Sequence, residues 1–253
     1  MTRLKKGGQM TRETEMRILT PDGKLIDGIL RGNPKKKPLV VFIHGFGGQM
    51  NDVMQYMAAR IFEKNGFSSF RFNFFGTSSR ARKSSECSLV SNGRDINTVL
   101  SYLRTELGAK KIFVAAHSFG VPSLLKANLA GISAIASWDG SLVPECLIKS
   151  LTALPEPKGY LFNFVYTLFT GEEMINESKR TQYEELFKDH VIPTLFAVSK
   201  KGRGFFAEEA EKMFPLAKDP KEIVFFNNAR HGYTEEGAIE DLCKKTIEWF
   251  KKY

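Results

Sequence analysis

The chain has 253 residues, of which 42% are hydrophobic and 26% charged, a balance that excludes disordered and fibrous classes and supplies enough apolar side chains for a sizeable core. No apolar run reaches the roughly 18 residues of a membrane-spanning helix, and the basic opening MTRLKKGGQM leads into charged TRETEMR instead of an apolar leader core, so a cytoplasmic location is the expectation. The formal charge of +9 is dispersed, and its tight groups, Lys35 to Lys37, Arg80 to Lys83 and Lys200 to Arg203, fall in no nucleic-acid motif and read as solvated loops. The three cysteines, Cys87, Cys146 and Cys243, are odd in number and far apart, which argues against a disulfide framework or a zinc knuckle.

Residues 1–14 are polar and read as a frayed tail. Two short apolar stretches between Met16 and Leu30 flank Pro21-Asp22-Gly23, the signature of a hairpin. Pro38 to Ile43 is a β-branched run of the kind covered on both faces, and it ends in His44-Gly45. Residues 52–64 have helical apolar spacing, with Gly66 as the stop. Phe67 to Phe75 reads as a strand, and Ile96, Val99, Leu100, Leu103 and Leu107 form one helical stripe. Lys111 to Ala116 is a strand, Val121 to Ala130 a helix and Ile132 to Trp138 a strand. The rhythm breaks over residues 141–190 and resumes with strands Ile192 to Val198 and Glu222 to Phe226 and a final helix carrying Ile239, Leu242, Cys243, Ile247 and Phe250. Alternating strands and helices imply a mainly parallel central sheet with helices on both faces, the hairpin lying at one edge.

Chemistry concentrates at the strand-to-helix junction Ala116-His117-Ser118-Phe119-Gly120. A serine at such an apex needs small flanking residues, and Ala116 and Gly120 satisfy this; alanine departs from the usual G-x-S-x-G by one methyl group. The competing interpretation is a plain turn with a helix-capping serine. A nucleophilic serine needs a base, and the chain has four histidines. His44 precedes a glycine-rich loop and is expected to order it, His117 to point away along the turn, and His190 to precede a strand at its buried start. His231 remains as the general base, following the strand ending at Phe226.

With His44-Gly45-Phe46-Gly47-Gly48, Phe72-Asn73-Phe74-Phe75-Gly76, the serine junction and Arg230-His231-Gly232 in this order, the chain resembles the α/β-hydrolase family, and within it small carboxylesterases and serine hydrolases of the cinnamoyl-esterase or monoacylglycerol-lipase type. The resemblance implies a hydrolase domain over 15–253 and an oxyanion hole made by the backbone N–H groups of Phe46 and Phe119. It puts the acid after the strand Ile192 to Val198, where this chain has Ser199-Lys200-Lys201-Gly202. Asp139, at the end of the preceding strand, is the most economical substitute; its plainer role is an Asx turn, and Glu145, Glu172, Glu173 and Glu208 are the other candidates.

The interruption at 141–190 lies where hydrolases of this type carry a lid. Its run Tyr160 to Phe169 is strongly aromatic; whether strand or helix is left open, and it either packs the insertion or walls an apolar pocket through Phe162, Phe164, Tyr166 and Phe169, with Phe46. The expected activity is hydrolysis of a small-molecule carboxylic ester with a hydrophobic or aromatic moiety, through an acyl-enzyme on Ser118, with no metal or cofactor. Peptide, thioester or acyl-transfer chemistry on the same triad is the alternative, as is a non-catalytic binding protein that has lost its acid. A serine in place of a carboxylate disfavours haloalkane dehalogenase and epoxide hydrolase chemistry.

Overall fold

The hydrophobic runs assemble into one eight-stranded sheet. The computed structural model describes residues 13–142, 148–149, 151–163, 167–188, 190–201 and 205–253. Strands β1 (Glu13–Leu19), β2 (Leu25–Arg31), β3 (Leu39–Ile43), β4 (Ser68–Phe72), β5 (Ile112–His117), β6 (Ile132–Trp138), β10 (Thr194–Ser199) and β11 (Lys221–Phe226) lie in the order β1-β2-β4-β3-β5-β6-β10-β11. β2 runs antiparallel to both β1 and β4, and the pairings from β4 to β11 are parallel. This is a mainly parallel α/β sheet, with the opening hairpin at one edge.

Helices α1 (Val53–Lys64) and α7 (Ala238–Phe250) pack on one face, where Phe42, Phe62, Phe113, Trp138 and Phe250 are buried together. The other face is covered by α2 (Leu89–Thr105) and α3 (Gly120–Leu125), with Val41, Val114, Ile96, Leu100 and Leu124 in its core. Ser88 caps α2 by accepting from Ser91 N–H, while Ser91 Oγ accepts from Ser88 N–H. The interrupted region carries an antiparallel three-stranded sheet, β7 (Leu151–Leu154), β8 (Gly159–Asn163) and β9 (Thr167–Gly171), followed by α4 (Glu172–Arg180) and α5 (Tyr183–Lys188). The aromatic run is therefore β-structure. Helix α6 (Phe205–Met213) follows β10. Among the described residues no helix is long and apolar enough to cross a membrane.

Several expectations need correction. β1 begins at Glu13, inside the expected tail, because the Glu13 carboxylate pairs with Arg71, Arg31 and Arg60. The strand expected to reach Phe75 ends at Phe72, where the chain turns so that Asn73 Oδ1 accepts from Met50 N–H. The helix expected to reach Ala130 ends at Leu125; beyond it Asn128 N–H is drawn to Asn97 Oδ1 on α2, and Gly131 takes a positive φ of 75° that leads into β6. Arg82, read as part of a solvated basic loop, is buried. It makes paired hydrogen bonds of 2.9 Å to both oxygens of Asp95 on α2 and a third to Asp22.

That buried pair fastens the loop after β4 to α2. Burial raises the Asp95 carboxyl and Arg82 opposes it. Removing one member leaves a charge desolvated without a partner, so Asp95→Ala should lower unfolding free energy by about 3 kcal/mol in urea titrations. A loss below ~1 kcal/mol would show that Arg82 finds water or Asp22 sufficient.

Candidate active site

β5 is buried as far as Ala116, and the chain must reverse beyond it to start α3 against β3. Ser118 makes that reversal with φ of +53°, a left-handed conformation that side chains other than glycine rarely adopt. Close packing enforces it. A Cβ on Gly120 would lie 2.6 Å from the His44 carbonyl oxygen, and one on Gly45 would lie 2.8 Å from Ser118 Cβ. Ser118 N–H donates to Trp138 O, extending the β5–β6 ladder, and its carbonyl accepts from Val121 and Ser141 N–H. Among the described residues only Ser118, Asp139 and Tyr233 are non-glycine residues with positive φ, and all three meet here.

His231 Nε2 lies 3.0 Å from Ser118 Oγ, and its Nδ1 lies 3.3 Å from Asp139 Oδ2. Asp139 is fully buried, whereas the His231 side chain is one-third exposed, so the imidazole edge between serine and solvent is open to a reactant. Asp139 is aimed by other donors: Ser199 N–H to Oδ1 and Ser199 Oγ–H to Oδ2, both at 2.6 Å. Tyr233 Oη lies 3.4 Å from Asp139 Oδ1 and 3.3 Å from the Ala197 carbonyl, and its one proton can serve either. Burial, with the Asp139 charge beside it, pushes the Tyr233 phenol well up and keeps it protonated. At the strand end where the family resemblance puts an acid, Ser199 thus donates to an acid coming from β6.

The other candidates for the acid lie elsewhere. Glu173 pairs with Arg180 on the surface, Glu172 opens α4, Glu208 is exposed on α6, and Glu145 lies outside the described residues. His44 donates from Nδ1 to the Gly45 carbonyl and accepts at Nε2 from Phe74 N–H. A second proton would break that arrangement, and burial holds its pKa down. His190 approaches the Leu125 carbonyl at 3.3 Å, away from the serine.

His117 does not point away as expected. Its Nε2 donates to the His231 carbonyl at 2.9 Å, and the two rings lie 4.6 Å apart. Phe206 of α6 stacks on His231 at 4.0 Å with the planes 3° from parallel. His231 is thereby held between two rings, one of which presents a π face to any positive charge formed on the imidazole. His117 was visible only as the serine's neighbour in the junction motif and Phe206 carried no motif signal; the pairing of fold and side-chain direction brings them here.

Phe46 follows Gly45 and packs edge to face with Phe119 at 5.8 Å and with Phe162 of β8 at 5.2 Å. Phe162 also lies over Gly47, where a φ of +70° favours glycine and a Cβ would press on that ring at 3.2 Å. Phe164 and Tyr166 lie outside the described residues. Phe169 lies over Gly159 within the small sheet, while its strand neighbours Leu168 and Thr170 face a cavity of about 20 Å³ bounded also by Phe46 and Phe119. No group of three or more metal-ligating side chains occurs among the described residues.

Residues 33–137 match a family model described as "Putative serine esterase (DUF676)". No curated protein matches the chain in sequence. Solved structures do match in shape. Est1E from Butyrivibrio proteoclasticus with bound ferulic acid superposes with a TM-score of 0.79 at 18% identity, covering 94% of this chain and 98% of its own. An esterase domain from a Rhodothermus marinus protein gives 0.77 at 17%, covering 96% and 99%. Dienelactone hydrolase from Anabaena variabilis gives 0.71 at 14%, covering 97% and 99%.

The geometry generates a pH prediction. Burial, with His231 adding to it, pushes His117 down to about 3, whereas in the unfolded chain it protonates near 6.5. Its contribution to stability is complete above pH 6.5 and is lost progressively as pH falls toward 3, because the unfolded state binds the extra proton. His117→Gln, which retains a donor for the His231 carbonyl, should flatten the fall of Tm between about pH 6.5 and 4, leaving the part due to His44. An unchanged slope would place the acid sensitivity in other groups. Identities of 14–18% speak for the backbone alone, and the backbone has the α/β-hydrolase fold.

Proposed function

We propose that the protein is a serine esterase that cleaves a carboxylic ester with a hydrophobic or aromatic moiety, with Ser118 as nucleophile, His231 as general base and acid, and Asp139 as the group that orients His231. The observation that carries this reading is the unbroken line from Ser118 Oγ to His231 Nε2 at 3.0 Å and from His231 Nδ1 to Asp139 Oδ2 at 3.3 Å, built on a serine with left-handed backbone. The esterase description of the matched segment supports the reaction type.

In this mechanism His231 Nε2 takes the serine proton as Oγ attacks the ester carbonyl. Asp139 stabilises the imidazolium through Nδ1–H. The N–H groups of Phe46 and Phe119 are the proposed donors to the oxyanion. Collapse expels the alcohol, which receives the proton from Nε2; a water molecule, activated by the same nitrogen, then releases the acid and restores Ser118. A buried carboxylate beside His231 removes the motive for a non-catalytic reading, which was a missing acid after β10. The insertion over 141–190 serves as a lid, with Phe162 and Phe46 covering the hydrophobic part of the ester.

A fluorophosphonate probe should label wild-type protein at Ser118 and leave Ser118→Ala unlabelled but folded. On a panel of p-nitrophenyl esters, His231→Ala should lose about as much turnover as Ser118→Ala, and the double variant little more, because the members act as a unit. Asp139→Asn should lose at least about 10²-fold, since a serine-protease triad loses about 10⁴-fold at the equivalent change. Wild-type activity in Ser118→Ala would sink the serine mechanism; activity within a few-fold in Asp139→Asn would reassign the acid.

The covering role of the insertion is tested separately. Phe162→Ala should raise KM for benzyl esters more than for methyl esters, in proportion to the covered apolar area at roughly 25 cal/mol per Å². Equal changes for both would make Phe162 a packing residue only.

A further inference from the structure

The polar contacts of His231 leave the plane of its ring weakly defined. Nδ1 lies 3.3 Å from Asp139 Oδ2, longer than the roughly 2.7–2.9 Å of a strong charge-assisted bond, and that oxygen already accepts from Ser199 Oγ at 2.6 Å. The side chain is one-third exposed, and the torsion that turns a histidine ring has broad minima. The bond from His117 ends on the His231 carbonyl, so it fixes the backbone of the loop and not the plane of the imidazole. A modest turn of that ring carries Nε2 off the line to Ser118 Oγ.

What opposes the turn comes from α6. Phe206 is buried and lies flat on the imidazole, with 4.0 Å between centroids and the planes 3° apart, so a rotating imidazole would drive its edge into the phenyl face. Helix α6 is itself pinned to the serine junction. Ala207, Ala210 and Met213 bury one side of it in the core. Glu209, one turn along from Phe206 and also buried, accepts from Leu142 N–H at 3.0 Å. Leu142 ends a short segment that is tied almost residue by residue: Asp139 N–H donates to Ala197 O, Ser141 N–H to Ser118 O and Leu142 N–H to Glu209. The nucleophile, the carboxylate and the helix that carries Phe206 are therefore fastened to one another through Asp139 to Leu142.

We infer that Phe206 is a positioning residue for the proposed reaction: its ring holds the His231 imidazole in the plane from which Nε2 takes the Ser118 proton and later returns it to the leaving alcohol. This rests on the serine-esterase reading and adds to it a residue outside the triad. Phe206 acts through His231, so its removal is expected to slow acylation and deacylation alike, both of which use the same nitrogen, and to leave ester binding nearly unchanged. A side chain that only packed α6 against the loop would instead contribute to stability and leave the turnover of each folded molecule as it was.

The test is Phe206→Leu, which keeps an apolar side chain and removes the flat face, beside Phe206→Tyr, which keeps the face. With p-nitrophenyl acetate, kcat per folded Phe206→Leu molecule should fall about 10-fold or more with KM within about two-fold of wild type, and fluorophosphonate labelling of Ser118 should slow in step. Phe206→Tyr should retain most of the wild-type turnover. An unchanged kcat in folded Phe206→Leu overturns the inference, and so does an equal loss in Phe206→Tyr. Phe206→Met, nearer in volume, takes the place of Phe206→Leu if that variant does not fold. The stack is also read in unmodified protein by proton NMR: the Phe206 ring current should move the His231 imidazole resonances upfield, their assignment made against His231→Ala, and resonances at ordinary positions overturn the inference. Wild-type protein that turns over no ester and takes up no fluorophosphonate overturns the esterase reading itself, whereas an active wild type with an equally active Phe206→Leu overturns the role of Phe206 alone.

Discussion

The left-handed backbone at Ser118 sets the spacing of nearly everything around it. A residue held at φ of +53° between a buried strand and a helix persists only where its surroundings leave no alternative, at a cost on the order of 1–3 kcal/mol. Here the surroundings are backbone: the His44 carbonyl against Gly120, Gly45 against the serine Cβ, and the Trp138 carbonyl accepting from Ser118 N–H. The bond from Asn92 to Ser123 braces the helix that starts there. The loop after β3 is drawn into contact with the serine by the same packing, and this brings the Phe46 and Phe119 rings together.

The Asp139 carboxylate obeys a second constraint. A buried carboxylate needs several donors, and the end of β10 supplies two of them through the backbone and side chain of Ser199. Asp139 N–H in turn donates to Ala197 O, so β6 and β10 remain zipped as far as the carboxylate itself. Serine at 199 and aspartate at 139 are one arrangement in two strands: the end of β10 carries the hydrogen-bond donor and the end of β6 the carboxylate that accepts.

Much of the sheet was legible because parallel strands buried on both faces appear as continuous β-branched runs, as in Leu39 to Ile43 and Ile112 to Ala116. The structure brings Ser118, His231 and Asp139 together, and each could be named beforehand from a strand end, a chain order and an unfilled position. What escaped was set by tertiary contact. Arg82 is buried by a carboxylate on the next helix, and α3 stops where Asn97 captures the chain. The direction of His117 depends on where the His231 loop lies. In β9 the aromatic pattern drew attention to Phe169, while the pleat turns Leu168 and Thr170 to the cavity.

Placing the carboxylate at the end of β6 also changes how the gene can be cut. Ser118 and Asp139 both precede the segment 141–190, and that segment rejoins the sheet at Thr194; only His231 comes after it. The insertion is therefore a cassette between two fixed anchor points, with the serine and its carboxylate wholly upstream. Exchanging the cassette for one of different length or composition leaves the serine–aspartate geometry on uninterrupted sequence, and the sole element to be re-registered is the stretch from β10 to the His231 loop. A chain with its acid after β10 divides differently, with the acid and the histidine both on the far side of the exchange. Recombination that replaces the insertion while sparing Ser118, Asp139 and His231 is for this topology a two-crossover event, with both junctions outside the serine–aspartate segment.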